Sequence, residues 1–320
     1  MTDGVYFSAN DAVFPWTRAF LQSFRSTNPT LPLYLIPFND QYEKVIGMKQ
    51  QFDFRLFDHE DLRSLESLGN RFELGYTSYG KYWFRRYAAF WGPLDRFAYF
   101  DARQLILGNI APAFAALDRL DLDLIHFDTA INQVYEAGPH RESLICNGRA
   151  RGFLSGAWLS RRGVFSLEEF IRLGEEALQI RDQLNPRNSD QAFINYCCDH
   201  KPIRIAHIAD VFSDVCRSGW ARQPGEIYED NAGVFRLWDH GGLDHKKKVL
   251  LVHWAGIRLS SAMEQRRLFR KFLLSDQPLP QQCLAWLRDA LSSTPAFLKA
   301  WFRRNRTVNE LWHSCRLQRK

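Results

Sequence analysis

The chain has 320 residues, 46% of them hydrophobic and 14% aromatic, which is enough to bury a large core and is the composition of an ordered globular protein. No tract is rich in Gly and Ser, in Pro or in Gln, and apolar runs such as Val249 to Val252 fall far short of the roughly 20 residues that span a bilayer. The formal charge of +6 resides in the C-terminal tail, where seven basic residues face one acid from Lys299 onward, so the neutral body argues against a nucleic-acid partner.

The start, Met1-Thr2-Asp3-Gly4, runs straight into an apolar strand pattern with no basic region and no cleavage site, and a cytoplasmic location is expected. Six irregularly spaced cysteines suit a reducing compartment, with Cys197-Cys198 read as helix packing.

Gly4 to Ala9 reads as a buried strand. Asn10-Asp11 opens a helix whose apolar face carries Val13, Trp16, Phe20 and Phe24. Leu33 to Pro37 is a second strand, Phe52 to Phe57 alternates like a third, and Asp58 to Leu68 resembles a short helix. A helix is predicted over Lys81 to Trp91, then a break at Gly92-Pro93 and an apolar strand, Arg96 to Phe100, that stops at Asp101. Leu105 to Gly108 is extended and Ile110 to Leu117 helical, followed by a strand from Leu122 to Phe127 and an apolar stretch from Gly152 to Leu159. Helices over Leu167 to Ile180 and from Asp190-Gln191 precede a last strand, Lys248 to His253.

This alternation predicts an α/β fold: a Rossmann-like, mainly parallel sheet flanked by helices, with ligands at the carboxyl ends of strands. A boundary near 260 separates a domain of residues 1–260 from a basic helical extension, 261–320. A dinucleotide-binding enzyme is disfavoured, because Ser8-Ala9-Asn10-Asp11 follows the first strand where a G-x-G-x-x-G would stand.

Several segments share an order. Lys81-Tyr82-Trp83-Phe84-Arg85-Arg86-Tyr87 precedes Leu94-Asp95-Arg96-Phe97-Ala98-Tyr99-Phe100-Asp101-Ala102-Arg103 and Leu107-Gly108-Asn109-Ile110. Gly152 to Leu159 with its Ser155-Gly156, Ser189-Asp190-Gln191 with Asn195, and His253-Trp254-Ala255-Gly256 follow. Together they resemble glycosyltransferase family 8 and related GT-A enzymes across roughly residues 4 to 260.

The resemblance implies a GT-A fold and transfer of a hexose from a nucleoside diphosphate sugar, with a UDP-sugar favoured, to an acceptor glycan, lipid or protein, with retention. It assigns catalytic roles to Asp101, Arg103, Asp190 and Gln191. Donor contacts fall to Ser8, Asn10, Lys81, Asp101, Arg103, Ser155, Gly156, His253 and Gly256. In the family, two aspartates and the histidine hold manganese or magnesium against the diphosphate, which here leaves Asp101 and His253 as metal ligands.

Arg103 stands where the second aspartate belongs. A guanidinium cannot ligate a cation and repels one nearby, but it can donate a bidentate pair to phosphate. Diphosphate binding without metal, through Arg103 with help from Lys81, Arg258 or another cation, is therefore expected. The contrasting expectation is a non-catalytic nucleotide- or sugar-binding relative, with Arg103 turned to solvent or paired with Asp101.

Other positions keep two readings. Asn10 and Asp190 serve equally as helix caps, Ser155-Gly156 as a strand bulge, and Trp254 as core. The tail joins Trp286, Phe297, Trp301, Phe302 and Trp312 to its arginines, as a peripheral contact with anionic membrane or with a partner would require; a solvated face on packed helices is the simpler reading.

Overall fold

A computed structural model of the chain describes residues 1–57, 59–60, 62–73, 79–149, 151–185, 190–259 and 263–284. The chain divides into two compact units, Met1–Ala255 and Gly256–Lys320. In the first, strands β1 (Asp3–Ala9), β2 (Leu33–Pro37), β3 (Arg55–Leu56), β4 (Arg96–Asp101), β5 (Gln104–Ile106), β6 (Leu124–His126), β7 (Ala157–Arg161), β8 (Ile205–His207), β9 (Glu226–Glu229), β10 (Phe235–Trp238) and β11 (Leu251–His253) follow one another.

Seven of them form a sheet in the order β3-β2-β1-β4-β7-β6-β8. β1, β2, β3 and β4 run parallel, β7 runs antiparallel to both neighbours, and β6 pairs parallel with β8. The chain moves from β1 to β2 on one side, then returns to β4 on the other. The carboxyl ends of β1 and β4 thus flank a topological switch point, where open α/β sheets bind ligands.

Both faces of this sheet are buried, which explains the nearly continuous apolar runs of its strands. Strand alternation sorts the side chains. Tyr6, Phe97, Tyr99 and Trp158 join one core with Leu65, Phe84, Tyr87, Phe170 and Phe193; Val5, Phe7, Ala98, Phe100 and Leu159 join another with Phe20, Phe24 and Phe114.

Several predicted elements change form. The Lys81-to-Trp91 helix is a short α-helix, Gly80–Trp83, continued by a 3-10 helix, Phe84–Trp91. Three residues per turn align Phe84, Tyr87 and Phe90 on the core, and all three are fully buried. The expected strand over Phe52 to Phe57 shrinks to Arg55–Leu56, because Phe52 ends a helix begun at Lys49 and Asp53 turns left-handed at φ 45°. The helix expected over Asp58 to Leu68 runs Leu62–Phe72.

The extended stretch from Gly152 becomes a strand only at Ala157, with Ser155 and Gly156 in the turn before it. The last strand shortens to β11, which pairs antiparallel with β5 and sets His253 opposite Gln104. Among the described residues no helix is long and apolar enough to cross a membrane.

In the second unit, a helix over Arg266–Leu273 buries Leu268, Phe269 and Phe272. The tail aromatics from Trp286 onward, with their arginines, lie outside the described residues, as does Ser189.

Candidate active site

β4 delivers Asp101 to the edge of the sheet. The alternation that buries Phe97 and Tyr99 continues to Asp101, and the Tyr99 hydroxyl donates to Asp101 Oδ1 at 2.7 Å. The Asp101 N–H donates to the Gly156 carbonyl at 2.9 Å and the Ala102 N–H to the Ser8 carbonyl at 3.2 Å, which fixes the end of β4 against both neighbouring segments.

The centre of the cluster is Arg86, a residue to which sequence reasoning gave no role. It projects from the 3-10 helix, with its guanidinium 5.2 Å from the Tyr99 ring centroid. Nη2 lies 3.4 Å from Asp101 Oδ1 and Nε 3.4 Å from Asp190 Oδ2. Nη1 donates to the Ser155 carbonyl at 2.9 Å and to Ser155 Oγ at 3.1 Å. Burial pulls the Arg86 pKa down, but the Asp101 and Asp190 carboxylates outweigh it and hold the group firmly protonated. A charge this deep is tolerable only with such partners. Two arginines inside the aromatic run Phe84 to Phe90 were the signal, since a guanidinium there must find acids. Arg85 finds Glu66 and Asp40 at 2.6 and 2.8 Å.

Asp190 is not a helix cap. It precedes the helix Gln191–His200 but makes no side-chain capping bond. It is fully buried and accepts from Ser155 Oγ at 3.1 Å and from the Tyr87 hydroxyl, besides pairing with Arg86. Asn195, one turn on, exchanges hydrogen bonds with the Phe153 backbone at 2.8 and 3.0 Å, and so pins the segment that presents Ser155. Gln191, at the helix start, is half-buried.

Gly156 permits the closest approach in the site. A Cβ there would lie 2.7 Å from His253 Cε1 and 3.0 Å from Asp101 Oδ2. It lies in the turn rather than in a strand bulge, and its function is proximity. His253 is buried, and burial lowers its pKa to about 4; Asp101 opposes this while Arg86 and Arg103 reinforce it, so the imidazole is neutral at pH 7. Gln104 beside it donates to the Gly156 carbonyl at 2.7 Å and leaves its own buried Oε1 without a partner among the described residues.

Arg103 differs from Arg86. It is half-buried, and no salt bridge or hydrogen bond from its guanidinium occurs among the described residues. The ion pair with Asp101 is thus not formed; Arg86 takes that carboxylate. Burial lowers the Arg103 pKa, partly offset by Asp101. Its carbonyl accepts from the Trp254 N–H at 3.0 Å.

Ser8 and Asn10 are buried at the end of β1, in register with this edge, and Asn10 makes no capping bond. Lys81 is not joined to the cluster by any contact among the described residues; its Nζ sits 4.9 Å from the Tyr82 ring centroid. Trp254 is core, packed on Trp16 at 5.5 Å. Gly256, which turns with φ of +67°, and Arg258 belong to the second unit. Asp128 is a further buried acid that the sequence did not disclose: it accepts from the Gly219 N–H at 2.9 Å, and burial raises its pKa to about 6.

A divalent cation fits this set poorly. Asp101 and His253 come together, but no group of three or more His, Cys, Asp or Glu that could hold a metal exists among the described residues. Arg86 already occupies one Asp101 oxygen, and hard cations take six or more ligands, mostly oxygen. What the arrangement offers instead is a frame of one buried guanidinium between two carboxylates, which leaves one negative charge over, with the Arg103 guanidinium beside it unpaired among the described residues.

No family model and no curated protein matches the chain. Solved structures do. The chain is similar to the galactosyltransferase LgtC in complex with donor and acceptor sugar analogues, with a TM-score of 0.56 and 13% identity over 90% of this chain and 100% of that one. An active-site glutamine-to-glutamate variant of LgtC gives a TM-score of 0.57 at 13% identity, over 88% of this chain and 98% of that one. The fold of this chain is therefore the GT-A fold of nucleotide-sugar transferases.

Proposed function

We propose that the chain is a retaining hexosyltransferase that uses a UDP-sugar, and that Arg103, backed by the Arg86 frame, meets the diphosphate charge in place of a metal ion. The observation that carries this reading is the uncommitted Arg103 guanidinium at the switch point of a GT-A sheet, beside Asp101 and Asp190 held in place by Arg86. Residues 1–260 are taken as the catalytic part and 261–320 as its basic extension, suited to a peripheral contact with an anionic membrane or a partner.

In the reaction, the bond from the sugar C1 to the diphosphate oxygen breaks while the acceptor oxygen bonds to C1 on the same face. The acceptor proton passes to the departing diphosphate. Arg103 donates to the phosphate oxygens as their charge grows, an electrostatic contribution that is large in a site shielded from water. Asp101 and Asp190, oriented by Tyr99, Tyr87 and Arg86, are the acceptors for donor hydroxyls. Gly156 lets the donor approach the backbone, Ser8 and Asn10 line the nucleotide end, and neutral His253 adds no charge of its own.

Donor turnover tests the reading. UDP release from UDP-hexoses, undiminished by EDTA and lost in Arg103→Ala, is the expected result. Release that needs manganese would overturn the metal-free mechanism, and no release from any sugar nucleotide would leave a binding protein of the same fold.

A further inference from the structure

A second cluster of cations lies at the other end of the helix Gln191–His200. The helix begins beside Asp190 and, at 1.5 Å per residue, carries Asp199 in its last turn about 14 Å away. There a cleft of about 360 Å³ is lined by Arg149, Arg151, Lys201, Asp199, Cys198 and the apolar edge Pro202, Ile203 and Ile205.

The charges in this cleft do not cancel. Lys201 is committed to Glu169. Arg149 and Arg151 donate only to backbone carbonyls, of Asp199 and Gly148, and neither makes a salt bridge among the described residues. Asp199, the one acid in the lining, is buried and accepts from the Tyr135 hydroxyl; burial raises its pKa to about 7, so it compensates the arginines only in part. The result is two exposed arginines in one cleft with the half-buried apolar side chains Ile203 and Ile205. An anion carried on an apolar body satisfies both, and a phosphoryl group, with three oxygens, accepts from two guanidinium forks at once.

We propose that Arg149 and Arg151 form a second ligand site, separate from the Asp101 cluster, that takes a phosphate monoester with an apolar body. The site does not rest on the transferase reading, since it is built from residues outside that cluster.

Binding of n-hexyl phosphate to the full chain, followed by calorimetry, tests the proposal, with n-hexanol and inorganic phosphate as controls. Hexyl phosphate is expected to bind, the alcohol not to bind, and inorganic phosphate to bind more weakly. The double variant R149Q/R151Q, both at exposed positions, is expected to lose about tenfold or more in affinity, the loss that follows from removing charge-assisted hydrogen bonds. Saturating UDP is expected to leave hexyl phosphate binding unchanged. Sedimentation with phosphatidylcholine vesicles containing phosphatidic acid distinguishes the source: co-sedimentation that requires both arginines identifies a lipid phosphate, and hexyl phosphate binding without it identifies a soluble ester. No binding of hexyl phosphate, binding that survives the double variant, or binding displaced by UDP would each overturn the proposal.

Discussion

Arg86 and Arg103 stand on two sides of Asp101, and their surroundings treat them in opposite ways. On the β7 side, Arg86 is sealed between two carboxylates, a hydroxyl, two carbonyls and an aromatic ring, and its charge is held. On the β11 side, Arg103 is half-buried with no carboxylate of its own within salt-bridge distance among the described residues, and burial works against its charge. A cation whose bonds are already made serves to build a site. One that makes no such bond among the described residues is open to receive an anion.

The contrast is broken most directly at Arg86. Arg86→Met removes the cation while leaving Asp101 and Asp190 in its former shell, and is expected to destabilise the fold by about 3–5 kcal/mol in denaturant titrations, with activity lost. Arg103→Ala should leave the denaturation midpoint within about 0.5 kcal/mol of the parent and reduce UDP affinity by about ten- to a hundredfold by calorimetry. Equal stability losses in the two variants would erase the distinction between them. Arg103→Asp sharpens it further: a second acid beside Asp101 and His253 should make UDP binding respond to manganese, to which the parent is expected to be indifferent.

Gly156→Ala tests the closeness of the two sides, because its methyl group must displace His253 or Asp101. A cost of about 1–3 kcal/mol and a fall in kcat are expected, with Cys197 and the distant core unaffected.

The smallest effect concerns pH. Asp128 titrates at about 6 in the fold against an ordinary 3.8, so its contribution to stability is complete below 3.8 and is lost as pH rises through 6. Asp128→Asn, which keeps an acceptor for the Gly219 N–H, should raise Tm at pH 7.5, by an increment that vanishes towards about pH 4. His253 has the opposite sign: lowered from 6.5 to about 4, its contribution is present above 6.5 and lost as pH falls through 4. A Tm increment for Asp128→Asn that stays constant between about pH 4 and 7.5 would contradict the Asp128 assignment.

Much of the architecture was legible in the residues themselves. The strands Gly4 to Ala9, Leu33 to Pro37 and Arg96 to Phe100 are apolar throughout because both faces of the sheet are covered, and that pattern survives any detail of packing. The end of such a run marks the sheet's edge, so Asp101 could be assigned to a carboxyl end without coordinates. The order of Ser155-Gly156, Asp190-Gln191 and His253 along the chain likewise preceded any knowledge of their proximity, and the structure brings Ser155, Gly156, Asp190 and His253 together around Asp101.

What only the tertiary structure decided depends on groups far apart in sequence. Whether Asp190 caps its helix or turns inward rests on Tyr87, 103 residues away, and whether Arg86 is a surface or a buried cation rests on Ser155, 69 residues away. Capping is the local option for an aspartate before a helix. It loses here because a buried guanidinium needs a carboxylate more than the first N–H groups of a helix do. The same reason separates Arg86 from Lys81, neighbours on one segment of which Arg86, and not Lys81, is joined to Asp101 among the described residues. A sequence states which residues carry charge, but the cost of burying that charge is set by what surrounds it, and only the folded chain assembles those surroundings.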